Sequence, residues 1–482
     1  MCQKANLRVV LLLFFFLISF NSLIAQNHVQ RFDSLFNSLN QDGEFSAAIL
    51  IRDSGKMVYE KYFGFEDIEK KIAIDSNSRF ELASVSKQYT AFAIMQLKNQ
   101  GKLSYQDKLD KYFPELPFKN VTIEHLLRHT SGIPEFLGFE QSWFNKTKSN
   151  TNKDILKIIK EHIDSTKFVP GTQCSYSNTN YILLAELVER VSKMPFEKYM
   201  QQNIFHPARM DNSSVFSFLA QKKKVEHYAI GQDYDYKTQK FQNVRNLPSY
   251  SFVNFLDGIT GPYGISSTPR DLMKWDDALN QGKLLPDTSY QKAISVGKFN
   301  DGTNVRNPWG MFSGYGWLFM EEENKPKMHF HTGGWPGYQT IIVRNPEKKK
   351  LVVILINKYR TVDVFPLVTA IDAILQNREV IVVERNKNER IISLIEFQIN
   401  ELIGTYESVE DKNIKYLISA NDDGQLFAKY SDQESVEVFP ISPLEVIYNE
   451  IEARILFKKD KEKVIQLTLF QNGQEIVFKK VN

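Results

Sequence analysis

A serine and a lysine stand three residues apart at the start of a predicted helix. The string from Ser84 to Lys87 opens an apolar run, and Gly101 marks its end. Helical residues three apart share one face, with Cβ atoms about 5–6 Å apart. A serine hydroxyl becomes an effective nucleophile when a neighbouring base takes its proton, and a lysine kept neutral by its surroundings can be that base. The pair therefore predicts nucleophilic catalysis near the free N–H groups of a helix N-terminus.

The spacing of this pair is not unique in the chain. Besides Ser84 and Lys87, the string Ser-x-x-Lys occurs at Ser289–Lys292 and at Ser295–Lys298. Only the first string opens a long apolar helix. We therefore predict that Ser84 is the nucleophile.

A tyrosine and an asparagine form the second candidate group. Tyr176 and Asn178 make the only Tyr-x-Asn string of the chain, just ahead of a helix predicted over Tyr181–Val191. A tyrosine near a lysine can relay a proton. An asparagine side chain offers a donor and an acceptor to a substrate amide. The alternative interpretation is a polar turn that caps the next helix.

The third group is His331, Thr332, Gly333 and Gly334, just before a predicted strand. The histidine and threonine could bind a substrate carboxylate or hold the tyrosine in place, and the glycines allow close approach of the backbone to substrate. If the histidine reads a carboxylate, we expect its protonated form to bind better. The alternatives are a metal site shared with His329 and a glycine-rich turn with a surface histidine.

In this order the three groups resemble the motifs of the serine β-lactamase and penicillin-binding protein superfamily. Ser84 and Tyr176 are 92 residues apart, and Tyr176 and His331 are 155 apart, which is similar to the class C β-lactamase and DD-peptidase branch. The stretches Leu126–Pro134 and Gly264–Leu272 also resemble that branch. The likeness extends over residues 30–375, and the combination is more specific than any single motif.

The resemblance implies a role for each residue. Ser84 would be acylated, and Lys87 and Tyr176 would share the general-base and general-acid work. Asn178 would hold the acyl amide of the substrate, and the N–H groups of Ser84 and Gly334 would form the oxyanion hole. Many β-lactamases have lysine where this chain has His331, so efficient β-lactam hydrolysis is not expected. His129 falls in a stretch that we interpret as structural.

The remaining pattern predicts an α+β fold, with an antiparallel sheet flanked by helices, plus a small C-terminal all-β domain. Strands are predicted at 47–51, 57–63, 338–343 and 351–356, and helices at 84–100 and 365–375. Seven charged residues within 377–390 indicate a linker. The predicted domains are a signal peptide at 1–25, the hydrolase domain at 26–385 and the β domain at 396–482, to which we assign no chemistry.

The start of the chain and its composition predict where the protein works. Lys4 and Arg8 precede an apolar run of 12 residues, and Ala25 offers a cleavage site, which is typical of a secretory signal. We expect a periplasmic or extracellular protein with no stable membrane span once the signal is removed. The formal net charge of +3 and the single short basic run Lys222–Lys224 give no reason to expect a nucleic-acid partner. Cys174 is then the lone cysteine, typical of a small buried hydrophobe.

These predictions combine into a secreted serine hydrolase that needs no cofactor and no metal. The expected substrate is a small D-amino-acid peptide or amide, with cell-wall fragments among the candidates. The alternatives are an esterase on the same fold, a β-lactamase, and a penicillin-binding sensor whose acyl-enzyme is not turned over. No Gly-x-Ser-x-Gly string is present, so the sequence lacks the usual sign of an α/β-hydrolase.

Overall fold

The computed structural model describes residues 27–219, 226–320, 328–386, 389–431, 433–449, 451, 453–471 and 473–481. The predicted signal peptide and the basic run Lys222–Lys224 lie outside the described residues. The described chain forms two compact units. The first joins the residues up to Gln232 to Phe252–Asn386, and the second joins Asp233–Ser251 to the residues after 386.

A seven-stranded antiparallel sheet lies at the centre of the first unit, as the sequence predicts. From one edge to the other its strands are β10 (Phe312–Ser313), β11 (Leu318–Phe319), β12 (His329–Trp335), β13 (Tyr338–Asn345), β14 (Lys350–Ile356), β1 (Ala47–Asp53) and β2 (Lys56–Phe63). The shorter strands pair in separate small sheets. In the first unit β3 (Phe65–Asp67) pairs with β4 (Ile72–Ala73), and β9 (Ile265–Ser267) pairs with both β5 (Phe80–Glu81) and β6 (Ser214–Val215). β7 (Gln232–Asp235) pairs with β8 (Lys240–Asn243), and all of this pair except Gln232 belongs to the second unit.

Helices cover the sheet because its strands carry apolar side chains on both faces. The described α-helices of the first unit are α1 (27–39), α2 (Lys87–Asn99), α3 (Ile123–Leu127), α4 (Asn152–His162), α5 (Asn178–Ser192), α6 (Phe196–Met200), α7 (Phe252–Phe255), α8 (Pro269–Gln281), α9 (Asp287–Ala293) and α10 (Val364–Leu375). The helix α11 (Glu396–Leu402) belongs to the second unit. Successive side chains of a strand point to opposite faces. On β1, Ile49 and Ile51 pack with α1 and α10, whereas Arg52 turns to the other face and pairs with Asp276 of α8.

The C-terminal part of the second unit is a closed eight-stranded barrel, which confirms the small all-β domain. Its strands are β15 (Gly404–Ser408), β16 (Lys415–Ala420), β17 (Leu426–Tyr430), β18 (Val436–Ser442), β19 (Glu445–Tyr448), β20 (Ala453–Asp460), β21 (Lys463–Gln471) and β22 (Gln474–Lys480). On β20 the buried residues alternate with exposed ones, so that Ala453, Ile455 and Phe457 face the interior. Closure of the barrel removes the open edges that a sheet of this size would otherwise present.

The second unit also takes in residues 233–251, which the sequence analysis assigned to the hydrolase domain. The backbone N–H of Tyr236 donates to Asn449 Oδ1 over 3.3 Å, and its ring lies 5.9 Å from that of Phe439. The hydrophobic spacing of 233–251 does not distinguish these partners from those of the main sheet. The structure therefore groups this segment with the residues after 386, whereas the sequence analysis placed the domain break near 385.

Within the ranges that the structure describes, we find no helix that combines the length and the apolarity needed to cross a bilayer.

Candidate active site

Ser84 lies in a short 3-10 helix, Ala83–Ser86, that runs directly into α2. The sequence predicted one continuous helix here. Ala83 has a φ of +48°, a left-handed conformation that costs a residue with a side chain of order 1–3 kcal/mol. Its neighbour Leu82 is fixed on both sides, because its N–H donates to Ile265 O over 2.8 Å and its carbonyl accepts from Thr340 Oγ1 over 2.8 Å. The turn is thereby held in a strained form that sets the direction of Ser84.

Lys87 is completely buried and reaches three oxygen atoms. Its Nζ lies 3.0 Å from Ser84 Oγ, 2.7 Å from Asn178 Oδ1 and 3.0 Å from the carbonyl oxygen of Pro262. Burial lowers the pKa of this amine to about 7, against the opposing effect of the Glu135 carboxylate, which raises it. Lys87 is then neutral in about half of the molecules near pH 7.

The neutral amine has two hydrogen atoms and one lone pair, and its surroundings assign each of them. The amide oxygen of Asn178 and the carbonyl of Pro262 can only accept, so they take the two hydrogen atoms. The lone pair is left for the Ser84 hydroxyl, which can donate. The geometry therefore directs the base at the nucleophile.

Tyr176 lies against the same two residues. Lys87 Nζ stands 4.8 Å from the centroid of the Tyr176 ring. Burial raises the pKa of the phenol, and a hydrogen bond with Ser84 opposes that rise. The tyrosine is therefore protonated at neutral pH and can donate to, or relay a proton through, the serine oxygen.

His129, which the sequence analysis left out of the site, supports Tyr176. The two rings stack with centroids 4.4 Å apart, and His129 Nδ1 accepts the N–H of Ser177 over 3.1 Å. Burial, together with the charge of Lys87, holds the pKa of His129 well below its usual range, so the ring is neutral. Its φ of +60° orients the ring, and nothing in the local sequence pattern indicates this contact.

A second residue missed by the sequence is Glu135. Asn178 Nδ2 donates to Glu135 Oε1 over 3.1 Å, and the backbone N–H of Asn178 donates to Glu135 Oε2. Glu135 also begins the 3-10 helix Phe136–Gly138, where its Oε1 lies 3.4 Å from Leu137 N. The stretch Leu126–Pro134, which the resemblance singled out, ends one residue before Glu135, and a single glutamate there gives no signal of its own.

Strand β12 lines the other side of Ser84. A Cβ on Gly333 would lie 2.3 Å from Leu82 O and 3.1 Å from Ala83 Cβ, so the strand can approach the 3-10 turn only with glycine at this position. Gly334 is exposed, and the single atom near its Cβ position is the Tyr359 hydroxyl at 3.9 Å. The backbone at Gly334 therefore borders open space, as an oxyanion site requires.

His331 is buried on β12, next to half-buried Thr332. Its Nδ1 lies 2.6 Å from the carbonyl oxygen of Thr332, and its ring centroid lies 6.5 Å from that of Tyr176. Burial and the charge of Lys87 lower its pKa to about 3. The ring is therefore neutral at pH 7, and any binding of a carboxylate by protonated His331 falls below neutral pH.

His329, the partner in the alternative metal site, is engaged elsewhere. Its Nε2 lies 2.9 Å from the Tyr290 hydroxyl and 3.4 Å from Nη1 of Arg344. Burial and the arginine charge hold the pKa of His329 well below its usual range. A guanidinium beside this nitrogen disfavours a second cation at the same place.

The other two Ser-x-x-Lys strings lack the environment of the first. Lys292 is partly exposed and pairs with Glu124 at 3.1 Å, and Ser295 Oγ accepts from Arg128 over 3.2 Å. Burial raises the pKa of the Cys174 thiol to about 11, so it is not a thiolate at neutral pH.

Comparisons with known proteins agree with this arrangement. Penicillin-binding protein 4* of Bacillus subtilis (strain 168) is 29% identical over 451 residues, which cover 93% of this chain and 98% of the relative. A penicillin binding protein from Bacillus halodurans has a solved structure that is 26% identical, with a TM-score of 0.58, covering 70% of this chain and 98% of that one.

A more distant structural neighbour is the D-amino acid amidase from Ochrobactrum anthropi SV3, solved with L-phenylalanine amide. It shares the fold at 20% identity and a TM-score of 0.55, over 68% of this chain and 91% of that one. The family model described as Beta-lactamase matches residues 32–376, which contain all three predicted motifs. This chain belongs to the Beta-lactamase family.

Proposed function

We propose that this protein is a serine hydrolase that forms an acyl-enzyme on Ser84 and cleaves small D-amino-acid amides or peptides. The observation that carries the proposal is the buried amine of Lys87, whose lone pair faces Ser84 Oγ at 3.0 Å. Membership of the Beta-lactamase family supports a hydrolase of this mechanistic type. The likeness to a D-amino acid amidase supports the substrate class.

In the acylation step, Ser84 Oγ attacks the acyl carbonyl while its proton passes to Lys87. The N–H groups of Ser84 and Gly334 would bind the oxyanion, and Asn178 would hold the acyl amide through its remaining Nδ2 hydrogen. The carbon–nitrogen bond then breaks, and the leaving amine takes a proton through Tyr176, which Lys87 resupplies. Water attacks the ester with the same groups acting in reverse, releasing the acid and free Ser84.

An ester hydrolase on the same machinery is the second candidate, and the neutral His331 favours it. A leaving group with a carboxylate gains no charge pairing from this ring at pH 7, because the pKa of His331 is about 3. The binding of a substrate with an uncharged leaving group does not depend on the charge of His331. We therefore expect neutral amides and esters to be better substrates than peptides that end in a free carboxylate.

A substrate panel tests the proposal. The wild type and its Ser84→Ala variant are given a D-amino-acid amide, a D-Ala-D-Ala peptide, a chromogenic ester and a cephalosporin. Turnover of the amide that Ser84→Ala abolishes supports the proposal, and turnover of the ester alone favours the esterase. Rapid cephalosporin hydrolysis would mean a β-lactamase, and a stable adduct without turnover would mean a sensor.

The nucleophile is tested separately with a fluorophosphonate, followed by mass-spectrometric mapping of the adduct. We expect labelling of Ser84, with Ser289 and Ser295 unmodified. An adduct on either of those two serines contradicts the assignment. The location that we propose, periplasmic or extracellular, is tested by fractionation of cells that express the whole chain.

A further inference from the structure

We infer that Glu135 is a positioning residue that sets the orientation of the Asn178 amide and thereby directs the lone pair of Lys87 at Ser84. The inference rests on the proposed function of Ser84 and Lys87. It assigns a role to a carboxylate that lies outside the three motifs. The argument concerns which hydrogen-bond partners can only donate and which can only accept.

An asparagine side chain can turn its amide over with almost no change of shape, exchanging its donor end and its acceptor end. Glu135 as a carboxylate can only accept, so Asn178 must present Nδ2 to it. The amide oxygen is then forced toward Lys87 Nζ, which it meets at 2.7 Å. With the amide turned over, two acceptor oxygens would face each other and the amide N–H would point at the lysine.

The turned-over amide would also disable the base. Its N–H would donate to the lone pair of the neutral lysine, which is the pair needed for the proton of Ser84. The second Glu135 oxygen accepts the backbone N–H of Asn178, which fixes the carboxylate at the start of α5. One glutamate therefore holds both the residue and its amide.

Glu135 has an electrostatic effect in addition to this geometric one. Its charge raises the pKa of Lys87 against the effect of burial. The other titratable groups around the amine are aromatic or imidazole rings that are neutral at pH 7: Tyr176, Tyr181, His129 and His331. Removal of the carboxylate charge should therefore lower the pKa of Lys87 as well as release the amide.

The variant Glu135→Gln tests both effects, because it removes the negative charge and its amide offers only one acceptor oxygen to the two N–H donors of Asn178. We expect the rate of fluorophosphonate labelling at the pH plateau to fall roughly 10- to 100-fold, the value of a mis-set hydrogen bond to a charged group. We also expect a shift in the acid limb of the pH–rate profile, which is the low-pH range where labelling slows because Lys87 becomes protonated. This limb should move to lower pH. Glu135→Asp, which keeps charge and both acceptors, should recover part of the rate and the wild-type limb.

The matched control is Glu186→Gln, which removes a buried carboxyl from α5 without touching Lys87 or Asn178. We expect wild-type labelling from it. The double variant Glu135→Gln with Asn178→Asp presents an acceptor to the lysine in either orientation and gives the new glutamine amide an acceptor. The new carboxylate should raise the pKa of Lys87, so the two variants are compared at their own pH plateaus, where the double variant should be labelled faster than Glu135→Gln alone.

A wild-type rate and limb in Glu135→Gln would overturn the inference, as would a double variant no faster than the single one. A fall in melting temperature with an unchanged acid limb would show a structural role only and would also overturn it. If Ser84 is not labelled even in the wild type, the proposed function itself fails. The two failures are therefore distinguishable.

Discussion

The pH dependence of the reaction follows from the buried lysine. With a pKa of about 7, Lys87 is neutral in about a tenth of the molecules at pH 6, half at pH 7 and nine-tenths at pH 8. An ordinary exposed lysine would be neutral in only roughly one molecule in 3,000 at pH 7. We therefore expect kcat/KM for a neutral ester to rise about tenfold between pH 6 and pH 8 and then level off.

The assay is kcat/KM for one uncharged substrate across pH 5 to 10, which reports the pKa of the free enzyme. Two other buried groups, His331 and Glu186, could contribute to the pH profile if they titrated in this range. The pKa of His331 is about 3, so it does not change charge in this window, but burial raises the pKa of Glu186 to about 7. The Glu186→Gln variant should leave the limb in place, which assigns it to the lysine.

Three results would refute the reasoning. A rate that climbs tenfold per unit through pH 9 would mean that Lys87 keeps the pKa of an exposed amine and is not desolvated in solution. A profile that is flat from pH 6 to pH 9 would mean that no group titrating near 7 takes the proton from Ser84. A limb that disappears in Glu186→Gln would assign the titration to that carboxyl instead.

Three further predictions follow. Gly333→Ala puts a Cβ 2.3 Å from a backbone oxygen of the nucleophile turn, so we expect fluorophosphonate labelling about 100-fold slower. Trp309 is 64% exposed and lies edge-on to Tyr176, with the ring centroids 6.1 Å apart. The variant Trp309→Ala should therefore reduce the ratio of kcat/KM for an ester with an aromatic leaving group to that for a matched aliphatic ester roughly 2- to 12-fold. A chain ending at Asn386 removes Asn449 and Phe439, which contact Tyr236, so amide hydrogen exchange should speed up over 233–251 while nucleophile labelling persists. Slow exchange there would contradict the unit boundary.

The sequence predicted the parts of the fold whose signal is local. Alternating and continuous apolar runs marked β1, β2, β13 and β14 within a few residues of their bounds, because strand periodicity survives in a single segment. The three motifs were predicted in the right order, and the structure brings Ser84, Lys87, Tyr176 and Asn178 together. Motif spacing, combined with the resemblance, was sufficient to predict that these residues lie together.

What the sequence did not predict depends on contacts between distant segments. His129 and Glu135 meet Tyr176 and Asn178 across more than 40 residues of chain, and neither has a spacing that indicates it. The pKa of His331 depends on burial next to Lys87, which no sequence pattern measures. The left-handed Ala83 was also missed, because alanine is not a residue that indicates a positive φ.

The closure of the C-terminal barrel has a consequence for synthesis. β15 pairs with β22, so Tyr406 can form its strand pairing only after Lys480 is synthesised, 74 residues later. At translation rates of about 5–20 residues per second, that delay is roughly 4 to 15 s, during which β15 has one unpaired edge. A nascent chain in this state can pair with a neighbour on the same messenger. Premature termination within β22 would leave the edge of β15 unpaired in the released chain, which would favour aggregation.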